Sequence, residues 1–331
     1  MKKRIIIHCG LPKAGSSSIQ KTLYKNRIKL FRDGILYPQT NYSLSRSNHS
    51  KIITDYFLYK SDKLINFLKE NSHIANKNKI QSIIISGEGI SNLNRSQIEI
   101  LRELTFKYFH EYILHFVLYL RHPYTWGSSK VQHLCKWSDA NLFEIIKNYK
   151  TISYRDLTEK FMFRNGSILS VLEFEKQITK PNSLCKYLIK LAGYTKFPKY
   201  LLNETTVRNS LSFNSLLKLD LLKQLNIIES YDDLNNKDFD NEGPPFFFPP
   251  KLFSRQFDKS NEDLVYIKKK YNISYSDDYS FLEKKIEVND FSISIEDSTR
   301  LLLKKLDNSN ELNRIKVLKE KYLEKVRSLY L

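Results

Sequence analysis

Short runs of apolar residues, each followed by a helix-like spacing, set the rhythm of the chain. Residues 4–9, RIIIHC, and 82–86, SIIIS, are apolar without alternation, which suits strands buried on both faces of a sheet. YILHFVLYL at 112–120 continues the series, and SILSVLEFE at 167–175 supplies a fourth candidate strand. Between them, Ile19, Leu23 and Leu30 mark a helix ending near Gly34, and an amphipathic helix runs from about Ser96 to Tyr108. Pro123 suits the first turn of a helix after the third run, and a further helix is expected from Pro181 to Gly193. Strands separated by helices predict an α/β fold with a parallel sheet and helices on both faces. Ligands in such sheets bind at the carboxyl ends of the strands, and GLPKAGSSS, SGEGIS and RHPYTWGSS all fall there.

The later chain is less regular, and no internal repeat is visible. NEGPPFFFPPKLF at 241–253 is a loop by its prolines; its aromatic residues suit either stacking on rings or pinning the loop to the core. Beyond about residue 295, Leu312, Ile315, Leu318, Tyr322, Val326 and Leu329 form an apolar helical stripe. Packing on the main domain is its expected use, with a homo-oligomer seam as the other.

The 331 residues carry a formal charge of +18 with 41% hydrophobic content, enough for a real core. Such a balance favours an anionic ligand or partner, although the lysines are spread along the whole chain, as on a solvated surface. Neither a nucleic-acid-binding motif nor an arginine-aromatic repeat is present. Cys9, Cys135 and Cys185 form no C-x-x-C pair, which argues against a zinc site or disulfide framework and fits a reducing, cytoplasmic setting. The apolar part of MKKRIIIHCGLPK is too short for a signal peptide, and no stretch approaches the roughly 18 apolar residues of a membrane span.

The first loop carries the most chemistry. In GLPKAGSSSIQ, Gly10 and Gly15 bracket Lys13, whereas a Walker loop places its lysine after the second glycine. A strand turning through these glycines into a helix presents backbone amides and the positive helix end to an anion. Ser16, Ser17 and Ser18 add hydroxyl donors, Gly15 permits close backbone approach, and Lys13 places a compact charge inside the turn. Glu88, after the second strand, and His49, opening a helical segment, are candidate proton acceptors; each also suits a helix-capping role. His8 reads as a core or strand-end residue, and His122 as a turn former beside Arg121. Tyr124 and Trp126 read as buried against the sheet more readily than as nucleotide contacts. Arg208 and Arg255 are candidate anion contacts that equally suit the surface.

The loop resembles the 5′-phosphosulfate loop of the sulfotransferases that use 3′-phosphoadenosine 5′-phosphosulfate (PAPS). Their pattern, approximately P-K-[ST]-G-[ST]-[ST], stands here as Pro12, Lys13, Ala14, Gly15, Ser16 and Ser17, with alanine at 14 a mild departure. Their second signature, a strand-end arginine with a serine eight residues on, is matched by Arg121 and Ser129. SSIQKTLYKNR, GILYP, SGEGIS and LNETTVRNSLSF are similar to stretches of the bacterial and carbohydrate sulfotransferases, over roughly residues 4–275. The resemblance implies a three-layer α/β/α, P-loop-like sulfotransferase fold over residues 1–280, with a helical C-terminal extension over 281–331. It implies that Lys13, Ala14, Gly15, Ser16, Ser17 and Ser18 hold the phosphosulfate, that Arg121 and Ser129 hold the 3′-phosphate, and that Glu88 or His49 takes the acceptor proton. PAPS would be the donor and 3′,5′-adenosine bisphosphate (PAP) the product, without a metal. A glycan hydroxyl is the expected acceptor, and no nucleic-acid partner is expected. A P-loop-type phosphotransferase (kinase) using ATP and magnesium is the alternative.

Overall fold

The computed structural model describes residues 2–40, 47–164, 166–178, 183–194, 198–201, 211–224, 246 and 262–275, with 317, 320–322, 324, 325 and 328 near the C-terminus. In chain order the elements are β1 (Arg4–His8), α1 (Ser16–Lys25), α2 (Arg27–Arg32), β2 (Ile35–Leu36), α3 (Ser50–Tyr59), α4 (Lys63–Lys77) and β3 (Ser82–Ser86). A 3-10 turn (Glu88–Asn92), α5 (Arg95–Tyr108), β4 (Ile113–Leu120), α6 (Pro123–Trp137), α7 (Leu142–Lys147), α8 (Tyr154–Glu159) and β5 (Ser167–Glu173) follow. The series continues with α9 (Phe174–Ile178), α10 (Ser183–Leu191), a 3-10 turn (Lys199–Leu201) and α11 (Phe213–Gln224); residues 262–271 are also helical.

Among the described residues all strand pairs are parallel, in the order β2-β3-β1-β4-β5. The fold is therefore α/β with one five-stranded sheet. Ile5, Ile6 and Ile7 of the central strand are fully buried, as an unalternating apolar run requires when both faces of a strand are covered. Its neighbours are fixed in register by Ile6↔Ile84 on one side and Ile6↔His115 on the other. The chain leaves β1 toward β2 on one flank and leaves β4 toward β5 on the other, so the loops after β1 and β4 bracket a topological switch point.

Local chemistry explains where the elements begin and end. Asn94 caps α5 in a reciprocal box with Gln97, and Asn141 does the same for α7 with Glu144. The helix expected through Leu30 is two helices: at Asn26 φ is −101°, and its side chain donates to the carbonyl of Thr22 at 2.9 Å. Gly34, at φ 79°, then turns the chain into β2, a two-residue strand too short to show a period. The run at 167–175 is strand only to Glu173, and Phe174 opens α9. Gly193, at φ 104°, follows α10 as expected, while Pro181 lies outside the described residues.

The chain forms two compact units. The first comprises 1–122, 152–207 and 263–274, and the second 123–151, 208–262 and 275–331. Within the second, Asp220 of α11 is buried and accepts hydrogen bonds from Leu142 N at 2.7 Å, Gln224 Nε2 at 2.8 Å and Tyr322 Oη at 2.8 Å. The Tyr322 ring meets Phe143 edge-on with centroids 5.2 Å apart. Trp126 and Tyr124 are buried, Trp126 against Tyr149 with centroids 6.2 Å apart. Apart from Tyr322 the C-terminal stripe, Arg208, Arg255 and all of the proline-rich loop but Phe246 lie outside the described residues. The three cysteines are buried and form no disulfide. Among the described residues, no helix is long and apolar enough to cross a membrane.

Candidate functional site

The loop after β1 is built as a turn that delivers the chain to a helix N-terminus. Ala14 N donates to the carbonyl of Leu11 at 3.1 Å, closing a four-residue turn with Pro12 and Lys13 at its centre. Lys13 takes φ 68°, the left-handed position that type II turns usually give to glycine or asparagine. Gly15 then caps α1 at φ 79° with no side-chain capping bond. A Cβ on Gly15 would lie 2.7 Å from Leu184 Cδ1 and 3.0 Å from Phe174 Cε2, so both conformation and space require glycine. The first helical hydrogen bond runs from Ile19 N to Gly15 O, which leaves the amides of Ser16, Ser17 and Ser18 ahead of the intrahelical ladder.

One polar atom at this helix start stands out. Ser16 is 2% exposed, and its Oγ has no hydrogen-bond partner among the described residues. It faces Gly10 so closely that a Cβ there would lie 2.2 Å away. A hydroxyl left unmatched away from water costs about 1–3 kcal/mol, so its burial here calls for a ligand atom or a water. The same spot is flanked by His8, whose Cε1 lies 3.1 Å from that Cβ position. His8 pairs through Nδ1 with Ser86 Oγ at 2.8 Å, while its buried Nε2 has no hydrogen-bond partner among the described residues. Burial lowers the pKa of His8 to about 3, so the ring is neutral at physiological pH.

Arg121, immediately after β4, reaches this loop. Its Nη1 donates to the carbonyl of Lys13 at 2.8 Å, and the guanidinium lies 5.3 Å from the ring centroid of Phe174. Phe174 thus packs between Gly15 and Arg121, tying the start of α9 to both loops. Tyr154 Oη donates to the carbonyl of Arg121, and Tyr154 N in turn donates to Asp263 at 2.7 Å. Burial lowers the Arg121 pKa, opposed by the charge of Glu175 and by Tyr154. Glu175 also accepts the backbone N–H of His122 at 2.9 Å. Ser129 lies on the second turn of α6, half-buried, in the second unit.

The two candidate proton acceptors are placed differently. Glu88 is half-buried at the start of the 3-10 turn after β3, and that turn is tied to the first loop because Ser91 Oγ donates to the carbonyl of Gly10 at 3.1 Å. His49, at the N-cap of α3, is fully buried. Its Nδ1 lies 3.0 Å from the carbonyl oxygen and 3.1 Å from the backbone nitrogen of Ser86, and its Nε2 lies 3.0 Å from the carbonyl oxygen of Pro38. Burial lowers its pKa to about 4 against the backbone contacts with Ser86 and Pro38.

A further cation lies beside the loop without belonging to any motif. Lys160, following α8, donates through Nζ to the carbonyl of Ser91; burial lowers its pKa, with Cys9 and Asp156 acting the other way. Only the return of the chain from α8 brings it there, so no spacing in the sequence marks it. The structure therefore brings Lys13, Gly15, Ser16, Arg121 and the turn carrying Glu88 together at the carboxyl end of the sheet. His49 is engaged through both ring nitrogens behind that edge. Among the described residues, no group of three or more His, Cys, Asp or Glu could hold a metal ion. No family model, no curated protein and no solved structure matches the chain.

Proposed function

We propose that the chain is a PAPS-dependent sulfotransferase of P-loop-like, three-layer fold that moves a sulfuryl group to a hydroxyl, with a glycan as acceptor. The observation that carries this reading is the bond from the Arg121 guanidinium to the carbonyl of Lys13, 2.8 Å long, which joins the two motif segments at one place. The unmatched, buried Ser16 Oγ at a helix start supports an anion at the same loop. PAPS supplies the sulfuryl group. The amides of Ser16, Ser17 and Ser18 and the Ser16 hydroxyl hold the 5′-phosphosulfate, with Ala14 and Gly15 shaping the turn. Lys13 sets a positive charge beside the oxygen that departs with the phosphate, where negative charge gathers during transfer. Arg121 holds the 3′-phosphate through its fork of donors; the partner role of Ser129 rests on the resemblance. Glu88 accepts the acceptor's proton, since both nitrogens of His49 already serve the backbone.

Calorimetry with PAP tests the reading. Binding that is micromolar or tighter and unchanged by EDTA is expected; binding of ATP with magnesium alone would replace the sulfotransferase with a phosphotransferase. Lys13→Ala is expected to reduce transfer far more than PAP affinity, because its contact strengthens as charge builds. Arg121→Ala is expected to weaken PAP binding at least about tenfold, as loss of a charged hydrogen bond implies.

A further inference from the structure

A cavity of about 800 Å³ opens in the first unit beside the edge strand β2, lined by none of the residues assigned to the donor or to the proton acceptor. Its size lies within the range of roughly 300–1,000 Å³ typical of small-ligand pockets. One wall is a stripe of α4 made by Lys63, Asn66, Phe67, Glu70, Asn71 and Ile74, spaced three and four apart. A helix face turned onto protein carries aliphatic residues along such a stripe. Here four of the six are polar or charged. The facing wall comes from Arg27, Ile28 and Phe31 of α2 with Tyr37 and Gln39 after β2. Ile28 is 60% exposed there.

We propose that this cavity is a saccharide-binding subsite, with an acidic sugar as its preferred occupant. A sugar ring has an apolar C–H face and a rim of hydroxyls, and the cavity offers both complements. Phe31 and Ile28 supply the apolar wall. Asn66 and Glu70 stand one helical turn apart, spaced to bond neighbouring hydroxyls. Arg27, held by a bond from Nη1 to the carbonyl of Tyr24 at 3.1 Å and by the Tyr24 ring 4.3 Å away, and Lys63 outnumber Glu70, so the net charge of the lining favours a carboxylate-bearing ring, in line with the net charge of +18. An entirely apolar ligand would strip water from the amides and the carboxylate without replacing their hydrogen bonds. A polyphosphate would face Glu70, while the N-cap of α4 is already the acidic Asp62.

The sheet places this cavity on the same edge as the loop after β1. Tyr37 and Gln39 follow the carboxyl end of β2, and only β3 separates β2 from β1. Two strand spacings amount to about 10 Å, so a chain of sugars rather than a single ring is suited to reach both. The naming of the occupant as acceptor rests on the proposed function; binding in the cavity does not.

The test uses the full chain, with PAP affinity measured in parallel. The probes are an unsulfated hexasaccharide of alternating glucuronate and N-acetylglucosamine and the neutral maltohexaose. The uronate hexasaccharide is expected to bind more tightly than maltohexaose, and Asn66→Ala combined with Glu70→Ala, both exposed positions, is expected to weaken it at least about tenfold while PAP affinity stays within about twofold. Failure of both sugars with PAP bound normally would overturn the subsite alone. Binding indifferent to the paired substitution and abolished by moderate salt would overturn it as well, as non-specific attraction to a basic surface. Sugar binding sensitive to the pair, with no PAP binding, would sustain the subsite and remove the donor reading.

Discussion

Lys13 holds a backbone conformation that most residue types avoid, at a cost of about 1–2 kcal/mol. A lysine kept in a glycine position is retained for its side chain, so Lys13→Gly is expected to leave the melting temperature unchanged or raised while transfer is lost. Gly15→Ala is the converse case, because φ 79° and the nearness of Leu184 and Phe174 both oppose a Cβ. It is expected to lose about 1–3 kcal/mol in urea unfolding. Three of the buried histidines, His8, His49 and His115, set an acid limit. Burial lowers the pKa of His8 to about 3 and of His49 and His115 to about 4, from an ordinary value of 6.5. The unfolded chain therefore binds more protons between these values, and stability present above pH 6.5 is lost as pH falls toward about 4. Melting temperatures taken from pH 7 to 4 check this, and His49→Gln, which keeps a donor and an acceptor, is expected to flatten the slope. The lysine's odd position is visible in the spacing of GLPKAGSSS. The engagement of both His49 nitrogens is not, because Ser86 and Pro38 come to it only across the sheet edge.

The elements with a sustained signal were legible: the unbroken apolar runs at β1, β3 and β4 and the helical period of α5 stand where the sequence puts them. Those resting on one or two residues were not. β2 has two residues, and the break between α1 and α2 turns on the single side chain of Asn26. Lys160 reaches the first loop from an unmarked helix end, a tertiary contact with no local signal. In the second unit, α11 contributes the buried carboxylate that gathers α7 and Tyr322. Burial foremost raises the Asp220 pKa above its ordinary 3.8, with its hydrogen bonds and Lys223 opposing. The folded chain thus holds this proton more readily than the unfolded one. The contribution is fully present below pH 3.8 and declines as pH rises through the raised value. Asp220→Ala, which leaves the N–H of Leu142 unmatched, is expected to cost about 3 kcal/mol or more at pH 7. Asp220→Asn, neutral yet still an acceptor, is expected to retain most of that stability, as denaturant midpoints will report.

For the molecule entire, a ligand that binds only the folded form stabilises it by mass action. At a hundredfold excess over Kd, PAP is expected to add about 2.7 kcal/mol and raise the melting temperature by a few degrees, an effect absent in Arg121→Ala. The division into two units has a different consequence. Each unit is assembled from three separate stretches, so the chain passes from one to the other at 122/123, 151/152, 207/208, 262/263 and 274/275. During synthesis the first unit is not complete until residue 274 has left the ribosome, by which time much of the second has already emerged. No single cut of the polypeptide separates the two units from each other. A proteolytic nick anywhere between residues 123 and 274 splits both units at once, so neither of its two fragments is expected to fold alone.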